Sequence, residues 1–274
     1  MKWNIRLKIG IVILAAFVFC AFVLTLFCPK DPSLQSSYPP YLRISWQHPL
    51  GTNGLGQDIF WFLMFAIRNS LLLGVGVSVC TGLISLAVGL SSGYLGGGYD
   101  RALMLLNDSF IVIPTFPMLI VLSSLVRGKG GLIAIVPILN AFGWAWGART
   151  MRSIALSVRE REFVNMAWYS GSSRPKIIVQ EFFPYVYAYG VVAFINSILH
   201  VINAEAALAV IGLSSIQTPT LGSAVYWPIT YSAIMTGRYV WIGSPIVATC
   251  LLFLGLFLTS TGYNQYFAER RGHS

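Results

Sequence analysis

Few residues in this chain have the types and spacing to do chemistry. Asp108 and Glu205 are carboxylates set inside long apolar stretches. An acid in such surroundings is costly to place, so it faces a bundle interior or a watery path. Two acids could relay protons in a coupled carrier. Without a run of further polar partners they make a thin proton path, and a structural pairing that supports span packing or gating is the stronger reading. Gly89-Leu-Ser-Ser-Gly93 matches the G-x-S-x-G pattern of serine hydrolases, and with His200 it would define an intramembrane protease built on Ser91. That chemistry needs a strand-to-helix elbow. Here the pattern lies mid-run among other glycines, where small residues serve close helix contact. The Gly51–Gly56 cluster neither follows a strand nor opens a helix, so it does not read as a dinucleotide loop. No G-x-x-x-x-G-K-[ST] phosphate cradle occurs, so any nucleotide energy must come from another subunit. Cys20, Cys28, Cys80 and Cys250 form no C-x-x-C pair and read as packing residues. No catalytic residue and no metal ligand is assigned.

The elements that must position Asp108 and Glu205 are membrane spans. Hydrophobic residues make up 56% of the 274 residues and charged residues 10%. Mean hydropathy is +0.71. A soluble domain carries roughly a quarter charged residues, so the solvent around most of this chain is lipid. The net charge of +9 sits in clusters at span ends, not in a stripe. That is a topology signal and argues against nucleic acid.

Six spans are predicted. The first is Ile9–Phe27, a retained helix after a basic start, because the run exceeds a signal-peptide core and no A-x-A-like site follows. A loop rich in proline and glycine covers Lys30–Asn69, with Ile59–Ile67 lying at the membrane interface. The second span runs from Ser70 to Leu95 and carries Gly74, Gly76, Gly82, Gly89 and Gly93. The third covers Ala102–Val126, with Asp108 buried and Pro114 and Pro117 breaking the hydrogen-bond ladder. The fourth covers Leu132–Ala148, the fifth Phe182–Leu213 and the sixth Val240–Tyr263. Ser214–Tyr239 is a connection whose apolar patch re-enters the membrane. The chain divides into residues 1–69, a first helix and outer loop; 70–263, the transmembrane core; and 264–274, a basic tail.

Between the fourth and fifth spans stands a polar island, Arg149–Pro184, crowded with Arg149, Arg152, Arg159, Arg161, Arg174 and Lys176. It must lie in water. It reads as an amphipathic helix to about Tyr169, a break at Gly171-Ser172-Ser173 and a second helix entered through Pro175. Placing the island and both termini in the cytoplasm puts twelve basic residues inside and six outside, in keeping with the positive-inside rule.

Several runs carry a resemblance to a known family. They are HPLGTNGLGQD at His48–Asp58, AIRNSL at Ala66–Leu71, GYLGGGYD at Gly93–Asp100 and the Asp108-to-Pro114 spacing. REREFV at Arg159–Val164, NMAWYSG at Asn165–Gly171 and EAALAVIGLS at Glu205–Ser214 follow in order. From His48 to about Tyr263 the chain resembles the inner-membrane permease subunits of ATP-binding-cassette importers. The branch is the dipeptide/oligopeptide/nickel one, and the subunit is its "C" type. Departures are Asn53 and Gln57 for an acid and an arginine, Asn165-Met166 within the expected E-A-A, and Leu221 for a tryptophan.

The resemblance implies an all-α multipass membrane protein with the type I importer (MetI-like) fold and a cytoplasmic coupling helix. It implies that Arg159, Glu160, Arg161, Glu162, Phe163, Ala167, Gly171 and Ser172 engage an ATPase. Asp108, Pro114 and Glu205 become candidates for the translocation path or its gate. The implied partners are a second permease subunit, two ATPase subunits that hold the ATP and magnesium, and an extracytoplasmic solute-binding protein. This chain itself would be a transport subunit without enzyme activity or cofactor, placed in the cytoplasmic membrane. The implied cargo is a di- or oligopeptide-like solute. An oligosaccharide is the alternative within the same machinery, and a secondary carrier the more distant one.

Overall fold

The structure is a computed structural model that describes residues 4–126, 128 and 130–271. Lys2, Arg127 and Lys129, which enter the sidedness count, and the end of the tail from Gly272 lie outside the described residues. Those described are helical apart from loops and one isolated bridge between Thr52 and Asp58.

Helix α1, Ile5–Phe22, starts earlier than predicted because Asn4 caps it by accepting from the Arg6 amide. A 3-10 turn, Leu24–Phe27, ends it. The loop that follows is an ordered polar knot. His48 Nδ1 lies 2.7 Å from Asp58 Oδ2. Asp58 Oδ1 accepts from the Phe60 and Trp61 amides, which makes it the N-cap of α2. Asn53 Oδ1 accepts from the amides of Leu55 and Gln57. Gly51, with φ of +76°, passes so close to the Leu42 carbonyl that an added Cβ would lie 2.5 Å from its oxygen. The His48–Asp58 run is thus built to satisfy its own polar atoms and to launch α2.

Helix α2 is one element, Ile59–Leu95. The segment Ile59–Ile67, expected at the interface, is instead its first part. Phe62, Leu63, Met64, Ala66 and Ile67 are buried in the main core with Ile198, Ile202, Leu221, Ala224 and Leu252. At 37 residues α2 is far longer than the ~20 a bilayer core requires. The third span is not a straight rod. It is α3, Gly97–Val112, and α4, Thr115–Val126, bent by 82°. Ile113, with ψ of 124°, is extended because Pro114 disfavours the helical conformation in the residue before it.

A 3-10 turn, Gly131–Ile135, leads into α5, Val136–Gly143, and α6, Ala145–Arg159. Helix α6 begins before the island and runs well beyond the expected end of the fourth span at Ala148, so the first third of the polar island continues that helical segment. After it come α7, Glu162–Tyr169, and α8, Arg174–Ile177. A π-helical turn, Ile178–Phe182, then opens α9, Phe183–Val210. Pro184 has no amide to give to the preceding turn, and a widened turn is one way to absorb that loss. Helix α10, Leu221–Thr230, lies within the Ser214–Tyr239 connection and packs on α9, α11 and α2. Helix α11, Tyr239–Arg271, closes the chain and lies against α1. Gly10 and Gly262 allow that approach: an added Cβ would come within 2.5 Å of Thr259 Oγ1 and 2.6 Å of the Leu7 nitrogen.

Among the described residues five helical segments are long and apolar enough to cross a membrane: Ile5–Phe27, Ile59–Leu95, Gly131–Arg159, Tyr185–Val210 and Tyr239–Phe267. The bent α3–α4 pair makes a sixth when taken as one span. The protein is a multipass membrane protein.

Candidate functional site

The charged run from Arg149 onward is positioned by α6, and α6 is positioned by α2. The two helices touch through glycine. An added Cβ on Gly89 would lie 2.5 Å from both the Ala148 carbonyl oxygen and the Met151 Cβ, and one on Gly93 would lie 2.6 Å from the Ala155 Cβ. Ser85 Oγ donates to the Trp144 carbonyl at 2.8 Å. The glycine pattern that superficially fits a hydrolase is therefore a backbone contact. Ser91 donates to the Ala87 carbonyl of its own helix, and no contact joins it to His200 among the described residues.

Two acids of α3 hold the same helix. Asp100 takes both Nε and Nη2 of Arg152, at 2.5 and 2.6 Å, and also accepts from the Ser92 hydroxyl. Asp108 pairs with Arg149. The side chain of Asp108 is 52% exposed, which corrects the expectation that it is buried. Asp108 shares an open face of α3 with Leu105 and Val112 and reaches a partner on α6.

The turn from α6 into α7 is the core of the predicted coupling set. Arg159 lies against Gly96 at the end of α2, where an added Cβ would meet its Nη1 at 2.6 Å. Glu160, Arg161 and Glu162 are exposed. Phe163 stacks on Tyr185 of α9, centroids 5.4 Å apart and planes within 9°. Val164 is buried with Leu90, Met151, Val158 and Phe182, and Ala167 is half-buried against the same cluster. Helix α7 ends in a Schellman cap: the Gly171 amide donates to the Trp168 carbonyl and the Ser172 amide to Ala167, at 3.0 and 3.2 Å. Gly171 has φ of +79° and open space around it. One side of α7 is thus bolted to α2, α6 and α9. The other leaves Met166 62%, Trp168 59% and Tyr169 82% exposed.

Glu205 is a separate site. It is fully buried on α9. Its Oε1 accepts from Ser214 Oγ at 2.7 Å and Thr220 Oγ1 at 3.0 Å, and its Oε2 has no partner among the described residues. Thr220 is also the N-cap of α10, in a reciprocal box with Ser223. Ser70 Oγ of α2 accepts from the Leu221 amide, and Asn69 Nδ2 of α2 donates to the Pro219 carbonyl. Glu205 therefore pins the loop before α10 to α9 while α2 pins it from the other side. Asp108 and Glu205 have separate partners and do not form a pair. Sequence reasoning misses the anchoring of α10 by Asn69, Ser70 and Thr220. The capping-box spacing at Thr220–Ser223 is the signal that points to it.

Comparisons with known proteins agree with this architecture. The family described as "Binding-protein-dependent transport system inner membrane component" matches residues 85–273. The chain is 35% identical over 181 residues to the oligopeptide transport system permease protein OppC of Mycobacterium tuberculosis (strain ATCC 25618 / H37Rv), covering 65% of this chain and 62% of that protein. It is 34% identical over 182 residues to the nickel transport system permease protein NikC of Escherichia coli (strain K12), covering 65% and 63%. An OppC of Lactococcus lactis subsp. cremoris (strain SK11) is 23% identical over 259 residues, covering 91% and 86%. The chain spans a little under two thirds of the length of the first two relatives. On the strength of the family match over residues 85–273, the chain belongs to the inner membrane components of binding-protein-dependent transport systems.

Proposed function

We propose that this chain is a permease subunit of an ATP-binding-cassette importer and forms half of a translocation pathway for a peptide-like solute. The observation that carries the reading is α7. It is a short capped helix between two spans, fixed on one side and bare on the other. Three large side chains, Met166, Trp168 and Tyr169, stand open at the end of the bundle. A water-facing apolar knob of this kind marks a contact surface. A cytoplasmic ATPase would cover it, bind the ATP and magnesium, and tilt the bundle through α6 and α9 as it closes. A second permease would complete the pathway, and a binding protein would deliver cargo to the opposite end. Both termini and α7 would lie in the cytoplasm. The peptide-like cargo rests on relatives named for oligopeptide and nickel transport, names that do not favour the oligosaccharide alternative.

The test is a backbone substitution. A left-handed conformation costs a side chain roughly 1–2 kcal/mol, and the space around Gly171 is open, so Gly171→Val strains the cap of α7 without a clash. The expected outcome is a folded chain whose ATPase association and ATP-driven uptake fall together. Trp168→Ala should weaken ATPase association while leaving the chain folded. Uptake and association unchanged in both variants would refute the coupling role.

A further inference from the structure

At the end of the bundle that carries the 28–58 loop, two clefts join. One is an apolar groove of about 600 Å³ between α1, α2 and α11, walled by residues such as Phe17, Met64, Gly243 and Val247. The other is a cleft of about 430 Å³ under the loop, lined by Arg43 and Arg238. Tyr239 and Val240 line both. The groove presents almost no polar surface, and the cleft contains no acid. Neither arginine makes an ion pair among the described residues. Arg238 is held over the Tyr41 ring, 4.5 Å from its centroid. The N-terminus of α11 begins at Tyr239, between the two clefts, and its dipole adds positive potential there.

We propose that this continuous site holds one anionic phospholipid, with an acyl chain in the groove and the phosphate between Arg43 and Arg238. The order of features matches the ligand. An uncharged apolar slot lies where hydrocarbon surrounds the helices, and two uncompensated cations lie where the span ends. Arginine is suited to phosphate because its guanidinium offers paired donors. Both volumes fall in the ~300–1,000 Å³ range of small-molecule sites. A lipid without net charge would leave the positive charge of the two arginines uncompensated. A free phosphate would leave the groove unused. With both termini in the cytoplasm the lipid comes from the outer leaflet, though the site does not depend on that orientation. It would tie α1 to the core beside the loop that launches α2.

The test uses the full chain purified with the subunits that assemble with it, stripped of lipid in detergent. Dioleoyl phosphatidylglycerol or dioleoyl phosphatidylcholine is added back, and retained lipid is counted by native mass spectrometry. The expected result is a single retained phosphatidylglycerol, favoured over phosphatidylcholine by roughly tenfold or more, because both lipids offer the phosphate but the choline ammonium brings a third cation beside the two arginines. Arg43→Gln with Arg238→Gln should abolish the preference. An added Cβ on Gly243 meets nothing within 4 Å, so Gly243→Leu should fold, fill the groove and lower retention of both lipids. Soluble glycerol phosphate should not compete. Equal retention of the two lipids, a preference that survives loss of both arginines, or retention untouched by Gly243→Leu would overturn the proposal. So would competition by glycerol phosphate, or cross-linking of a neighbouring subunit from a photoreactive residue at Val247.

Discussion

Arg152 and Asp100 form a two-pronged ion pair that ties α3 to α6, at 2.5 and 2.6 Å. Its side chains are only 30% and 12% exposed. Three residues earlier on α6, Arg149 meets Asp108 of the same helix α3. This second pair is about half exposed at both ends. The two pairs therefore differ in kind. Removing one partner of a shielded pair leaves the other group unsatisfied at a cost of roughly 1–3 kcal/mol. An open pair contributes little. Asp100→Ala and Arg152→Ala should each lower the thermal midpoint of the purified complex. The double variant should cost less than their sum, because both lose the same contact. Asp108→Asn should leave that midpoint near the unaltered value. Strict additivity at Asp100 and Arg152 would show that the contact contributes nothing to holding α6.

Glycines of α2 are expected to part ways although their residue type and helix are the same. At Gly89 the first atom of any side chain collides with the α6 backbone, 2.5 Å from the Ala148 oxygen. At Gly76 nothing lies within 4 Å. Gly76→Ala should be neutral, or stabilise by up to about 1 kcal/mol through helix propensity. Gly89→Ala must push α6 outward and should cost about 1–3 kcal/mol, as overpacking does. Because α6 carries α7, ATP-driven uptake should fall with it. Thermal midpoints and uptake measured on both variants decide the matter; equal behaviour would mean that α2 and α6 are not in backbone contact.

The same contrast explains what can be read from the sequence. Apolar runs locate α9 and the starts of α1 and α11 to within a few residues, though α11 runs on past the expected end at Tyr263 to Arg271, and small-residue spacing points correctly at Gly89 and Gly93. What misleads is charge. Arg68 and Asn69 look like a span boundary, yet α2 runs through them from Ile59 because Asn69 has a carbonyl partner on Pro219 and Arg68 packs over Phe65. Arg149 and Arg152 look like the start of a separate polar helix in water, yet they ride on α6, which begins at Ala145 and packs along α2, and acids on α3 meet them. Periodicity within one segment cannot register a partner supplied by another. The 82° break at Pro114 is half legible: proline announces an interruption, but not the angle at which α4 leaves to pack on α5 and α9. The inward helix α10 is legible only as an apolar patch, since its caps and anchors come from residues far away in the chain.

Glu205 supplies the last contrast, between a latch and a proton carrier. One oxygen of the buried carboxylate receives two hydroxyls, from Ser214 and Thr220, and the other lies about 3.2 Å from where a Cβ on Gly222 would stand. A latch needs an acceptor at Oε1, not a titrating group. Glu205→Gln keeps that acceptor, so assembly and ATP-driven uptake should stay close to the unaltered level. Glu205→Ala leaves both hydroxyls and the loop unanchored, at a cost of about 1–3 kcal/mol. Thr220→Val removes the N-cap of α10, at about 1 kcal/mol, together with one of the same two hydrogen bonds. The Ala and Val changes should therefore combine to less than their sum. A carrier makes the opposite forecast: Glu205→Gln stops transport, and so does collapse of the proton gradient with ATP present. Uptake by membrane vesicles supplied with ATP and an uncoupler separates the two. Continued uptake by the Glu205→Gln and Asp108→Asn variants under those conditions supports the latch, and loss of uptake in either the uncoupled unaltered protein or the Gln variant rejects it.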